Sequence, residues 1–437
     1  MPPELPYVAG ADASSWILPA KALLKHHGFV FLESPNLANV YRTPVVPLFN
    51  SLFLWIGQEH GIKTIILAQV VLLSLSSIIV ARIAETIQEG SGTAAMAILL
   101  FNPNSLSSAL LIQSETLFCF LLICSAYNLV KYVYSKYWRH ILSCGIFLAL
   151  ASLARPTTQY LIALLPIISF TLLLFHYGWS HFKLRGFIQG ALASLIATLI
   201  VMPWALKVGQ SEGHPTLTTT EIRSIYIFDQ LLYFESYRSN LSVNEINEQL
   251  SKSESGKQRL NCNEMARASS ERLACFQTII KVDTNKLFGR PMASYVQPFL
   301  RSMAGFLFSG GSGNWHNLLL SNTQQNVYKS WLNVKQNEPV MPLLQILSTF
   351  NPSAILITAI CLGFSLAIKL FSLLGIYYLI KRKEFATLCI LLGLISYFAA
   401  TTLFLGQSRY RVPIEPYFAI LCVSGWVSFR HSLLAKR

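Results

Sequence analysis

Six charged residues of this sequence stand at the edges of apolar stretches, where an ionised side chain is expensive to keep: Asp12, Arg42, Glu115, Arg155, Arg409 and Arg411. A carboxylate at a membrane surface can take a proton from a hydroxyl or amine. A guanidinium can hold a phosphate through two parallel N–H···O bonds. Each residue also has a plainer reading. Asp12, in 10-GADASSW-16, suits the N-cap of the helix that follows. Arg42 suits an interface arginine whose stem lies along apolar surface. Glu115, in 112-IQSETLFCFLL-122, opens an apolar span, a position where carboxylates are usually functional, although Arg155 could simply pair with it. Arg409, Tyr410 and Arg411 sit together in 405-LGQSRYRVPIEP-416, between two apolar runs. Other signals are weaker: 309-SGGSG-313 lacks the Lys and Ser/Thr of a phosphate-binding loop. His26 and His27 are adjacent and share no helical face, so they do not suggest a metal site.

The elements that must position these residues are membrane helices. Of 437 residues, 53% are hydrophobic and only 12% charged, which is not a soluble composition. Windows of about 20 uncharged residues are long enough to cross the bilayer, and only helices satisfy their own backbone there. Nine spans are predicted, at about 62–82, 92–109, 114–131, 141–154, 157–175, 187–206, 353–379, 386–405 and 412–430. The predicted fold class is an all-α polytopic membrane protein. Residues 1–60 form a first loop with amphipathic helices, 61–206 six spans, 207–350 a large polar loop region, and 351–437 three C-terminal spans. In the first loop, Trp16, Ala20, Leu23 and Leu24 share a helical face, while Pro44 and Pro47 punctuate an amphipathic piece too broken to span.

Positive charge assigns the sides. Arg82, Lys131, Lys136, Arg139, Lys183, Arg185 and 381-KRK-383 fall in alternate connections, which are cytoplasmic by the positive-inside rule. Parity then puts the first loop, the large loop and all six residues above on the outer face. The basic residues behind the net charge of +14 are spread over short turns, which suits orientation signals and contact with the anionic headgroups of membrane lipids. No basic run is interleaved with stacking aromatics, so nucleic acid is not an expected partner. Six of the eight cysteines lie in or beside spans; Cys262 and Cys275, in the outer loop, are predicted to form a disulfide.

In order and spacing, four patches resemble the polyprenyl-phosphate-dependent membrane glycosyltransferases of GT-C type. This group includes protein O-mannosyltransferases, the aminoarabinose transferases that modify lipid A, and RgtA/B/C/D-like bacterial members. The patches are GADASSW, 42-RTPVVPLF-49, SETLF with 153-LARP-156, and 409-RYRVP-413. The resemblance implies a GT-C-like helix bundle with interfacial helices and a large extracytoplasmic loop region. It implies transfer, with inversion, of a sugar from a polyprenyl-phosphate carrier to an extracytoplasmic acceptor (lipid, glycan or protein) at a bacterial inner membrane. By that resemblance Asp12 and Glu115 are catalytic, Asp12 as general base. Tyr41, Arg42, Arg155, Arg409, Tyr410 and Arg411 bind substrate, with at least one of Arg409 and Arg411 facing the phosphate or ordering its site.

The sequence departs from the family in three places. Relatives carry a span before the acidic loop, whereas no spanning segment precedes residue 60 here. Some place an acidic metal ligand where this chain has Tyr41, so neither metal nor cofactor is expected. After the sixth span, 202-MPWALKVGQ-210 lacks the Arg-Asn that commonly follows Pro-Trp. Asn314, Trp315 and His316 in the large loop could hold an acceptor glycan. Two other classes stay open: a transporter or flippase, for which charged mid-span residues and repeated halves are missing, and a non-catalytic assembly partner.

Overall fold

The computed structural model describes residues 12–178, 184–266, 269–319 and 352–434. Lys183 and residues 1–11, 267–268 and 320–350 of the predicted first and large loops lie outside the described residues. The described chain is almost entirely helical, and seven helical stretches are long and apolar enough to cross a membrane: Val45–Ile87, Glu115–Ser135, Pro156–Tyr177, Arg185–Glu212, Pro352–Lys381, Phe385–Thr402 and Ser408–Arg430. At about 1.5 Å per residue, the 21 residues of Glu115–Ser135 cover roughly 30 Å, the thickness of the hydrocarbon core.

The predicted window 92–109 is a correction, because it folds as two short helices, Gly92–Leu100 and Pro103–Ala109. The break lies at Asn102, whose side chain accepts from the backbone N–H groups of Asn104 (3.0 Å) and Ser105 (3.1 Å), with Pro103 in the first turn. Both features start a new helix rather than continue the old one. The window 141–154 is a 17-residue helix, Trp138–Ala154, wedged between Glu115–Ser135 and Arg185–Glu212. Gly145 permits that approach: a Cβ there would lie 2.7 Å from the Ala193 carbonyl oxygen.

The first loop holds three elements. Helix α1 (Ala13–His26) buries Trp16, Ile17 and Ala20; of the expected face, Trp16 and Ala20 are buried, Leu23 is half-buried and Leu24 is exposed. A two-stranded antiparallel hairpin, Val30–Phe31 with Ser34–Ala38, follows. Helix α2 (Val45–Gly57) is continuous despite Pro47 and packs on α1. It presents Leu48, Leu52, Trp55 and Ile56 outward, an exposed apolar stripe at helical spacing suited to the bilayer interface.

In the loop region, helix α3 (Thr220–Ser239) is tied to the end of the span Phe385–Thr402. The Gln230 amide donates to the Thr402 carbonyl (2.9 Å), and its oxygen accepts from the Phe404 N–H (2.9 Å). Further out, helices Glu254–Glu264 and Ser270–Phe288 are joined by the disulfide Cys262–Cys275 that the sequence predicts. Closing a loop of this length stabilises by about 3 kcal/mol in the chain-entropy model. Replacing both cysteines by serine is therefore expected to lower the thermal midpoint of the oxidised protein. Reductant should lower the wild-type midpoint to the same value and leave the double variant unmoved.

Two stretches form the centre of the bundle. In Glu115–Ser135 and Ser408–Arg430, 78% of the most apolar window is buried, against 28% in Arg185–Glu212 and Pro352–Lys381. The central pair carries Glu115 and the 409–411 arginines at its ends.

Candidate active site

Asp12 occupies the N-cap position of α1, yet its side chain makes no capping bond. Its carboxylate turns to two arginines instead, Arg409 at 2.8 Å and Arg42 at 3.7 Å. Ser15 explains the orientation. Its hydroxyl donates to the Asp12 carbonyl (2.7 Å) and accepts from Arg42 Nε (3.1 Å), joining the loop's acid to its base through the first turn of the helix. The guanidinium of Arg42 lies 4.5 Å above the Trp16 ring and 5.3 Å from that of Tyr41, which fixes its plane. One residue on, the Thr43 hydroxyl donates to the Ala154 carbonyl (3.0 Å), docking the first loop beside Arg155.

Glu115 opens its helix buried, at 1% exposure. Arg155 donates to it at 3.2 Å and Arg409 Nε approaches the same oxygen at 3.6 Å. A buried carboxylate needs such partners to stay charged. Tyr410 completes the layer, its ring between the guanidinium groups of Arg409 (5.2 Å) and Arg155 (5.6 Å). The structure thus gathers Asp12, Tyr41, Arg42, Glu115, Arg155, Arg409 and Tyr410 around one cavity of about 460 Å³.

Arg411 is not among them. It is 1% exposed and turns into the bundle, pairing with Glu415 and donating to the carbonyls of Phe306 and Ser309. Glu415 also holds Lys369 at 3.1 Å and accepts from Asn102 (3.1 Å) and Asn104 (3.4 Å). The expectation of substrate contact at Arg411 is corrected on this geometry: each of its three side-chain nitrogens donates to a protein acceptor, it does not line the cavity, and it ties down the turn that presents Arg409. Asn314, Trp315 and His316 are likewise turned inward. Asn314 donates to the Ser107 hydroxyl (3.3 Å), Trp315 to the Pro103 carbonyl (2.8 Å), and His316 lies buried against Ala354.

Sequence reasoning missed the wall supplied by α3. Arg223, Tyr226 and Asp229 line the same cavity. Arg223 pairs with Glu212 at 3.6 Å. No run around Asp229 marks it in the sequence; the available signal is a lone acid in the largely apolar stretch 225-IYIFDQLL-232. The acids differ in environment. Burial raises the Asp12 carboxyl, but the charge and hydrogen bond of Arg409, with Arg42 and Arg155 behind them, outweigh it and the net shift is downward. At Asp229 burial prevails and the pKa is pushed up to about 6. The Tyr41 phenol is pushed up as well, chiefly by burial. Among the described residues, no group of three or more His, Cys, Asp or Glu is placed to hold a metal.

Comparison with known proteins bears on what such a cavity does. Residues 41–206 match the family model described as dolichyl-phosphate-mannose-protein mannosyltransferase. Among solved structures, the chain is similar to the oligosaccharyltransferase of Archaeoglobus fulgidus, with 12% identity and a TM-score of 0.49 over 98% of this chain and 48% of that one. The chain therefore spans about half the length of that protein. No curated protein sequence matches it. The matched segment covers less than half of the chain and holds Tyr41, Arg42, Glu115 and Arg155 of the cavity, set in a bundle of apolar membrane helices.

Proposed function

We propose that this chain transfers a single sugar from a polyprenyl-phosphate carrier to an acceptor on the extracytoplasmic face of a bacterial inner membrane, with inversion at the anomeric carbon. The observation that carries the reading is the convergence of Arg42, Arg155 and Arg409, from three distant parts of the chain, on one cavity that also holds carboxylates. As the glycosidic bond breaks, negative charge grows on the departing phosphate. Fixed guanidinium groups in a low-dielectric site stabilise that charge better than water does. Asp12 and Glu115 hold the arginines in place, and an incoming phosphate would compete with both for them.

The carrier's lipid part is supported by the cavity margin. Tyr160, on a candidate span, and Ile225 line the cavity while remaining exposed, at 62% and 39%. An isoprenoid tail leaving there would enter the bilayer. The outer placement is supported by the basic residues at the opposite helix ends and by the disulfide of the loop region. An acceptor oxygen would attack from the side opposite the phosphate, its proton passing to an aspartate of the cavity; the resemblance gives that part to Asp12.

The test is reconstitution in lipid nanodiscs with labelled undecaprenyl-phosphate sugars (mannose, glucose, galactose and arabinose) and envelope glycans and glycolipids as acceptors. Transfer of label from one of these donors, with inverted linkage by NMR, is expected. Absence of both donor binding and turnover across the set, in folded protein, would rule the reading out.

A further inference from the structure

The cavity's three carboxylates are not equivalent. Asp12 is held by Arg409 and Arg42, and Glu115 by Arg155 and Arg409. Asp229, half-buried on α3, lines the same cavity and makes no hydrogen bond or ion pair among the described residues. Of the acids lining the cavity, it is the one supplied by the loop region 207–350.

We propose that Asp229 is the general base of the transfer. Its carboxylate takes the proton of the acceptor hydroxyl as that oxygen bonds to the anomeric carbon. The bond from that carbon to the phosphate oxygen breaks, and the phosphate leaves with the electron pair. This inference rests on the transferase reading above and moves the base from Asp12 to Asp229.

Two physical arguments support the choice. A carboxylate hydrogen-bonded to one guanidinium and ion-paired with a second has its basicity lowered, which describes Asp12. Proton transfer is most efficient from a base whose pKa lies near the working pH. Where one site pushes two acids in opposite directions, the raised one is the candidate proton carrier. The charged and titratable groups acting on Asp229 are Arg409, Asp12 and Arg259, with the phenols of Tyr41, Tyr233 and Tyr410. Burial raises its pKa most; Asp12 adds to the rise, and Arg409 and Arg259 oppose it. Arg259 is itself occupied by Asp283 at 2.7 Å. Asp12 then serves as the clamp that aligns Arg42 and Arg409.

The experiment uses the full chain in nanodiscs, a labelled undecaprenyl-phosphate sugar that it turns over, and water as acceptor, so that release of free sugar is the readout. The wild-type rate is expected to rise with pH and level off above about 6, as the base loses its proton. Asp229→Asn should lower the plateau roughly 100-fold and abolish the break, with donor binding and thermal midpoint unchanged. Asp229→Glu should recover part of the rate and keep a break. Asp12→Asn should raise KM for the donor while preserving the break. The proposal is overturned if Asp229→Asn keeps the wild-type profile within a few-fold, or if Asp12→Asn is the variant that loses the break. A wild-type chain that binds donor but releases no sugar also overturns it, whereas one that does not bind donor at all refutes the transferase reading itself.

Discussion

Arg409→Ala is expected to lower sugar transfer about 10³-fold, the upper range for removing one fixed donor from a developing anion, and to leave the bundle folded. Among the described residues, Arg409 is the arginine that bridges both clamp acids, 2.8 Å from Asp12 and 3.6 Å from Glu115. Each acid keeps a second cation when it is lost, Arg42 for Asp12 and Arg155 for Glu115. Neither carboxylate is stranded, so the folding penalty is small. The loss should appear mainly in kcat, because the phosphate's charge is greatest when the bond is breaking. Arg409→Lys should fall between, keeping the charge and losing the planar fork that serves two partners at once. Near-normal turnover by Arg409→Ala would remove the basis for a phosphate site at this turn.

The sequence shows which residues are costly at a membrane edge, and five of the six charged residues which that criterion selects meet at the cavity, while Tyr41 and Tyr410 come from the resemblance alone. The criterion works because Glu115, Arg155 and Arg409 stand next to apolar runs, where an isolated charge is not tolerated, so a partner must exist. The partner's identity is a tertiary fact: the 397-residue separation of Asp12 and Arg409 leaves no local trace. Arg411 defeats the criterion for the same reason. It lies two residues from Arg409 in the same short turn, and only the packing shows that one points to the cavity and the other to Glu115. Asp229 escapes because nothing in its surroundings is periodic or charged enough to mark the face it presents. The broken helix at Asn102 was legible in principle, since Asn-Pro is a start signal, but the apolar mean of the window outweighed it. The hairpin at 30–38 is too short for its alternation to register.

The largest effect on folding is expected at Glu415, a residue without apparent chemistry. It is 1% exposed and is the carboxylate that faces both Arg411 and Lys369 in the bundle. Glu415→Ala leaves two cations buried beside each other with no counter-charge, and removing one partner of a buried ion pair typically destabilises by about 3–5 kcal/mol. The variant should therefore melt well below wild type in detergent or be recovered poorly. Lys369→Met should be milder, since it removes a charge rather than stranding one. Adding Lys369→Met to Glu415→Gln should restore part of the loss, because the remaining cation, Arg411, still donates to the carbonyls of Phe306 and Ser309. The consequence reaches the cavity: Arg411 ties the 408–414 turn to the loop helices, and that turn also carries Arg409. Where the double variant folds, donor KM should still be raised, because a looser turn no longer holds the Arg409 guanidinium in one place. Additive losses in the double-mutant cycle, with no recovery of stability, would show that Lys369 and Glu415 act separately.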